Sequence, residues 1–351
     1  VSTTAAIYHM NYLQAVVIGL IQGISELFPV SSLGHTVLIP SWIGGTWATL
    51  VSQESQAESP YLSFIVGLHL ATAVVLLGFF AREWARLLSG FVRSLGRRRI
   101  ARPEERLAWL IVIATVPVGI LGVVFEHQFR VLFAKPLAAA LFLMLNGVIL
   151  FAGEAHMRRS SAAAGGAAVP GAVRYAVGPD AVARNAVPTR EGPGAATARS
   201  GSATGAGGRV RDRIAPLDGD AERELSRVGM PSAGVIGASQ ALALLAGISR
   251  EGVAMVGGLY RGLDRENAMR FAFLLSTPVI LAAGALKVPD LVGSLGNGIH
   301  GQVVAGSLAA AASSLFAVVF LTRWFVTRTL VPFAVYSLLF GLASAIRFGA
   351  F

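Results

Sequence analysis

Long apolar runs dominate this chain, in place of the two-residue alternation of half-buried strands or the narrow apolar stripe of soluble helices. Runs near 62–81, 107–125, 137–153, 271–288, 303–321 and 331–347 each approach the ~20 apolar residues that carry a helix across a bilayer. Two further apolar segments, near 14–39 and 233–261, are interrupted by polar residues, glycines and a proline. A shift of 218 positions lays Gln22 on Gln240, Ser31 on Ser249, Ser32 on Arg250 and Gly34 on Gly252. Paired interrupted segments in the two halves of a membrane chain point to a site at the interface between repeats. The pattern predicts an all-α, polytopic integral membrane protein: an inverted repeat of two halves, each with a re-entrant helix hairpin plus three transmembrane helices. If each broken segment turns back as a hairpin, three crossings are an odd number, so the second half would enter upside down and the two hairpins would meet near mid-membrane. The alternative is two full crossings, which invert nothing overall.

Composition sharpens that picture. The chain is 54% hydrophobic and 14% charged, with a mean hydropathy of +0.64, outside the range of soluble domains. The first residues lack a basic region followed by a small-residue cleavage site, so no removable signal peptide is expected. There is no cysteine, which excludes disulfides, thiolate metal sites and a cysteine nucleophile. The net charge of +10 comes almost entirely from arginine, with Lys135 and Lys287 the only lysines. These arginines sit in loops beside the apolar runs, as positive-inside topology and contact with anionic membrane lipids require, and no nucleic-acid motif accompanies them. The basic stretch 82–106 reads as a short cytoplasmic loop. From there 126–136 lies outside, 155–230 inside, 289–302 outside and 322–329 inside. Residues 157–228 are rich in Ala, Gly, Arg, Ser and Pro and read as a disordered linker. The expected organisation is therefore a membrane half over 1–154, a cytoplasmic linker over 155–230 and a second membrane half over 231–351.

The interrupted segments carry the chemistry. Gln22 and Glu26, four apart, share a helix face, and Pro29 ends that helix. Ser31 or Ser32 can cap a second short helix running through Gly34 and His35, whose free N–H groups and positive dipole end suit an anion. Ser249 and Gly252 repeat the device, and Arg250 adds a planar guanidinium fork suited to phosphate. A carboxylate and a guanidinium at bilayer depth are costly, and their default reading is functional. Glu26, helped by Gln22, can act as base or hold a divalent cation, Mg²⁺ or Ca²⁺. Ser32, His35 or a water can be the nucleophile. His69 and Glu126 read as structural or interfacial, and Glu251 as a partner of Arg250 or a residue facing the cytoplasm.

Gln22-x-x-x-Glu26 followed by Pro29-Val-Ser31-Ser32-x-Gly34-His35 resembles the signature of the undecaprenyl-diphosphate phosphatases of the bacitracin-resistance family. Gly247-Ile-Ser249-Arg250-x-Gly252 is similar to that family's second motif, with Ala246 in place of a proline, Glu251 of a serine and Ala254 of a threonine. The resemblance implies hydrolysis of a polyprenyl diphosphate lipid in the bacterial inner (plasma) membrane, which recycles the carrier for peptidoglycan synthesis, with divalent-cation dependence and a site reached from the outer face. It implies Ser32 as nucleophile, Glu26 and Gln22 as base or metal ligands, His35 as acid/base support and Arg250 as phosphate clamp. Ser31, Gly34, Ser249 and Gly252 would line the substrate site, and a homo-oligomer is compatible with it. An isoprenyl-phosphate transporter or flippase is the alternative, because broken helices in inverted repeats also build transporters. A phosphatidic-acid-type phosphatase is disfavoured, since the histidine its motif needs six residues after the arginine is Val256 here.

Overall fold

The computed structural model describes residues 10–54, 60–124, 135–166, 224–226, 228–292 and 298–350, and among them the secondary structure is entirely helical. The first half contributes α1 (Tyr12–Leu27), α2 (Ser32–Ile43), α3 (Thr46–Glu54), α4 (Pro60–Phe79), α5 (Ala81–Arg97), α6 (Pro103–Val124) and α7 (Pro136–Gly166). The second contributes α8 (Met230–Ser239), a 3₁₀ turn over Gln240–Leu244, α9 (Arg250–Tyr260), α10 (Arg265–Val292), α11 (His300–Thr327) and α12 (Val331–Gly349). Both halves fall in one compact unit, 1–158 with 216–351; a second unit covers 159–215, of which the described part is the end of α7.

Five helices, α6, α7, α10, α11 and α12, are long and apolar enough to cross a membrane, and α4 becomes a sixth if it is counted with α5. The protein is a multi-pass membrane protein. Its exterior carries Val116, Ile120, Leu308, Phe316, Leu339 and Ile346, all more than half exposed, as a lipid-facing surface does and a water-facing one rarely does. Burial grades inward: 61% of the apolar stretch of α10 is enclosed by protein, against 28% of that of α12. Phe271, Phe273, Leu274 and Leu275 of α10 pack with Met255 and Leu259 of α9 and Val318, Leu321 and Phe325 of α11 in the largest core cluster.

The six expected crossings fall on these helices, but two expected irregular segments are helical. Residues 81–97, read as part of a loop, form α5, which leaves α4 at a bend of 83°. The first ten residues of the expected linker, 157–166, continue α7. Most of the remaining linker, the outer loop 126–134 with Glu126, and 293–297 lie outside the described residues.

Neither interrupted segment holds a single spanning helix. α1 has 16 residues, α2 12, α8 10 and α9 11, and at ~1.5 Å per residue each falls short of the ~30 Å hydrocarbon core. Two of them are buried by exchange between halves, α1 packing chiefly on α11 and α8 on α6, while α9 packs chiefly on α10 of its own half; α4 also meets α10. Small residues allow this closeness. A Cβ added to Gly19 would land on the Gly306 carbonyl of α11, and one added to Gly237 of α8 on the Ala114 backbone of α6. On α7, Glu154 accepts hydrogen bonds from Arg265 Nε (3.0 Å) at the start of α10, Arg158 Nε (3.1 Å) and the Leu330 amide (3.3 Å) before α12. One carboxylate of α7 thus ties together the starts of α10 and α12.

Candidate active site

The first break follows from local sequence. Asn11 and Gln14 form a capping box that starts α1: the Asn11 side chain accepts from the Gln14 amide (2.8 Å), and the Gln14 side chain accepts from the Asn11 amide (3.0 Å). The helix stops at Leu27, with Phe28 extended (ψ 137°), because Pro29 disfavours helical backbone just before it. Ser31 then takes φ 72° and caps α2, its Oγ accepting from the Gly34 amide at 3.3 Å. The second break is built alike: Ser249 caps α9 and its Oγ accepts from the Gly252 amide at 3.1 Å.

The two breaks are laced to each other. Ser31 Oγ also accepts from the Gly247 amide at 3.1 Å. Gly247 sits at φ 115°, and its absent Cβ would collide with the backbone of Ala139 and Leu143 in α7, while a Cβ on Gly34 would meet Gly247 Cα at 2.9 Å. Asn146 of α7, fully buried, donates to the Pro29 carbonyl at 2.9 Å and accepts from the Ser249 amide at 3.0 Å. Both breaks therefore hang on one amide side chain.

Between them lies a cavity of about 20 Å³ lined by Glu26, Ser31, Ser32, Leu33, His69, Ala243, Ile248, Arg250 and Glu251. The Ser32 hydroxyl donates to Glu26 Oε2. His69 Nε2 lies 3.1 Å from the same oxygen, and Arg250 Nη1 lies 3.9 Å from Glu26 Oε1. Gln22 Nε2 reaches Glu26 Oε2 at 3.5 Å, and its oxygen accepts from Thr72 Oγ1 at 3.3 Å. Thr72 is 2.9 Å from Ser314 Oγ, which donates to the Gly23 carbonyl at 3.2 Å. Glu26 is 3% exposed; a carboxylate so enclosed persists only with partners such as these.

Among the expected site residues, Glu26, Ser31, Ser32 and Arg250 line the cavity, and Gln22 supports it from behind. Gly34, Ser249 and Gly252 act through their backbone caps rather than by lining it. His35 is not among the lining residues: its Nδ1 meets the Ser31 carbonyl at 2.6 Å and its Nε2 the Tyr336 hydroxyl at 2.8 Å, with the two rings stacked. His69, read from sequence as structural or interfacial, is the imidazole that touches Glu26. Its Nδ1 faces the Ile65 carbonyl at 2.8 Å, so a carbonyl of its own helix fixes the ring whose other nitrogen meets Glu26. Glu251 does not face the cytoplasm, one of its two readings: it is 2% exposed and lines the cavity with Arg250, its other expected partner.

A divalent cation needs oxygen ligands. Among the described residues no group of three or more His, Cys, Asp or Glu could hold a metal by itself. The Gln22 oxygen is taken by Thr72 and Gln22 does not line the cavity, so its expected ligand role does not fit this arrangement. Glu26 does line it, and a cation held mainly by one or two carboxylates and substrate phosphates is the usual Mg²⁺ arrangement.

Bundle and cavity define the class: a multi-pass α-helical membrane protein with an acid, a hydroxyl and a guanidinium gathered at two facing helix breaks. The family model described as Bacitracin resistance protein BacA matches residues 15–174 and 201–343, and the chain belongs to that family. It is 53% identical to Undecaprenyl-diphosphatase 2 of Frankia alni over 349 residues, covering 97% of this chain and 99% of that protein. It is 47% identical to Undecaprenyl-diphosphatase of Mycolicibacterium paratuberculosis, covering 96% and 97%. It is 35% identical to Undecaprenyl-diphosphatase 2 of Chromobacterium violaceum, covering 95% and 97%.

Proposed function

We propose that this chain hydrolyses undecaprenyl diphosphate to undecaprenyl phosphate and inorganic phosphate, and that its site opens to the outer face of a bacterial plasma membrane. The observation that carries the reading is the Ser32 hydroxyl hydrogen-bonded to Glu26 while Arg250 closes on the other carboxylate oxygen across the same cavity. Nucleophile, proton acceptor and phosphate clamp are thereby within one small volume. The names of the relatives supply the lipid, and the family name links the reaction to bacitracin resistance.

In this reading Ser32 Oγ attacks the terminal phosphorus and its proton passes to Glu26. The bond from that phosphorus to the bridging oxygen breaks, and undecaprenyl phosphate leaves with the electron pair. Arg250, two of whose nitrogens have no hydrogen-bond partner in the closed cavity, moves from Glu26 to the phosphoryl oxygens and offsets their charge. Water then attacks the phosphoserine, Glu26 returns its proton to Oγ, and the water's protons leave with inorganic phosphate. His69 holds Glu26 in register throughout, and Gln22 orients it from the other side. A divalent cation, Mg²⁺ or Ca²⁺, bound at Glu26 would neutralise the diphosphate. Re-entrant hairpins in an inverted repeat account for the four short helices and for their reciprocal packing.

The test is phosphate release from C55 diphosphate by the purified chain in detergent, with and without chelator. Wild type should release phosphate in a cation-dependent manner, and Glu26→Gln and Arg250→Ala should each lose about 100-fold or more while still unfolding cooperatively. A folded wild type that releases nothing with any of several divalent cations would overturn the hydrolase reading in favour of isoprenyl-phosphate transport.

A further inference from the structure

The mechanism above leaves one ionisable side chain in the cavity without a task. Glu251 lies in the first turn of α9, directly after Arg250, and is 2% exposed. It lines the cavity with Glu26, and its Oε1 has no hydrogen-bond partner. Of the charged side chains that line the cavity beside it, Glu26 is of like sign and Arg250 of opposite sign. Burying a carboxylate oxygen with no donor is costly. Placing it where a lipid diphosphate must enter adds like-charge repulsion to that cost.

Charge bookkeeping narrows what the second carboxylate can do. Among the residues that line the cavity, Arg250 is the one fixed positive charge and it lies beside two carboxylates, so little positive charge is left in reserve for a diphosphate. A cation changes that. The cavity, at about 20 Å³, has room for about one water-sized particle, which suits a bare cation. Two carboxylates on opposite helix breaks supply the hard oxygens that Mg²⁺ or Mn²⁺ prefers, leaving the remaining positions for phosphate oxygens and water.

We infer that Glu251 is the second carboxylate of a divalent-cation site shared with Glu26, so that the cation joins the first helix break to the second and receives the diphosphate on its open side. The inference rests on the diphosphatase reading only for the identity of the phosphate ligand; the cation site stands on its own. Without the cation the two carboxylates repel one another and the incoming anion. With it, the site carries the surplus positive charge that phosphate binding needs. Glu251 thereby makes substrate binding conditional on the metal, beyond the contribution of Arg250.

The experiment titrates the full-length chain in detergent with Mn²⁺ alone, and again with inorganic pyrophosphate, following free Mn²⁺ by electron paramagnetic resonance. Wild type should bind one Mn²⁺ in at least one of the two conditions. Glu251→Gln should bind at least 10-fold more weakly, and Glu251→Asp should recover part of the loss. In phosphate release, the cation concentration giving half the maximal rate should rise about 10-fold in Glu251→Gln, with most of the maximal rate regained at saturating cation. Equal unfolding temperatures exclude a folding defect. If Glu251→Gln binds Mn²⁺ as tightly as wild type, or wild type binds none in either condition, the inference is overturned. Glu251-dependent Mn²⁺ binding by a chain that releases no phosphate would instead retain the site and remove the proposed reaction.

Discussion

At the scale of single residues, the site depends on side chains that satisfy two partners at once. Asn146 is the clearest. Its amide nitrogen serves the Pro29 carbonyl and its oxygen the Ser249 amide, so Asn146→Ala leaves an orphan acceptor at one break and an orphan donor at the other. Each buried orphan costs about 1–3 kcal/mol. The variant is expected to unfold at a lower temperature in a thermal scan and to lose activity, although Asn146 touches no cavity atom. An unchanged unfolding temperature would show that water takes over both bonds. His69 shows the same economy, since its two nitrogens fix Glu26 and anchor the ring to α4. Neither residue stands out in the sequence: Asn146 is a lone polar residue in an apolar run, and His69 carries no motif around it. Glu26, Ser32 and Arg250 were legible because ionisable and hydroxyl groups beside a proline break have few structural uses in a membrane. What sequence could not supply was the direction of each side chain, which packing against α4, α7 and α12 decides, and that is why His35 and His69 exchange places relative to expectation.

At the scale of elements, hydropathy located the crossings well and misjudged the amphipathic segments. The apolar runs of α6, α7, α10, α11 and α12 reach about the length of a bilayer core or more, so they are read as crossings. Residues 81–97 mix arginines with Leu87, Leu88, Phe91, Val92 and Leu95, too polar to span and too apolar for an ordinary loop. The structure resolves the mixture into α5, bent 83° from α4, with Glu83, Leu87, Gly90 and Ser94 buried while Leu88, Val92 and Leu95 stay more than half exposed. A helix with apolar residues facing away from the protein and arginines around them belongs at the headgroup boundary. The chain contains no cysteine, so the placement can be checked by single substitutions. In vesicles, Leu88→Cys and Val92→Cys should react slowly with a water-soluble maleimide, and Arg98→Cys should react fast. Equal, fast labelling at all three would place α5 in water.

At the scale of the whole molecule, the orientation read from arginine-rich loops makes a joint prediction. Cysteines at Arg98 and Thr329 should be labelled from the cytoplasmic side, and one at His300 from the opposite side. Labelling of all three from one side would contradict an odd number of crossings between them and with it the inverted repeat. The sequence likeness of the two breaks fails at the charged positions, because Leu244 stands where the first half has Glu26 and Ser32 is answered by Arg250. The two breaks share the serine cap, while the carboxylate Glu26 belongs to the first and the guanidinium Arg250 to the second.

The reciprocal packing of α1 on α11 and of α8 on α6 also sets an order of events during synthesis. The partners of α1 lie close to 300 residues downstream, since Gly23 rests on Ala310 and Ser314. At ~5–20 residues per second, Glu26 would wait roughly 15–60 s after its own synthesis before the helix that shelters it is complete. During that interval the first helix break has Ser32 and His69 beside Glu26, but it lacks Arg250 for most of the time and the cover of α11 throughout. It stays incompletely enclosed until the last third of the chain arrives. A ribosome stalled before α11 would therefore leave Glu26 accessible to water, and the active site would be among the last parts of the molecule to become a membrane-buried structure.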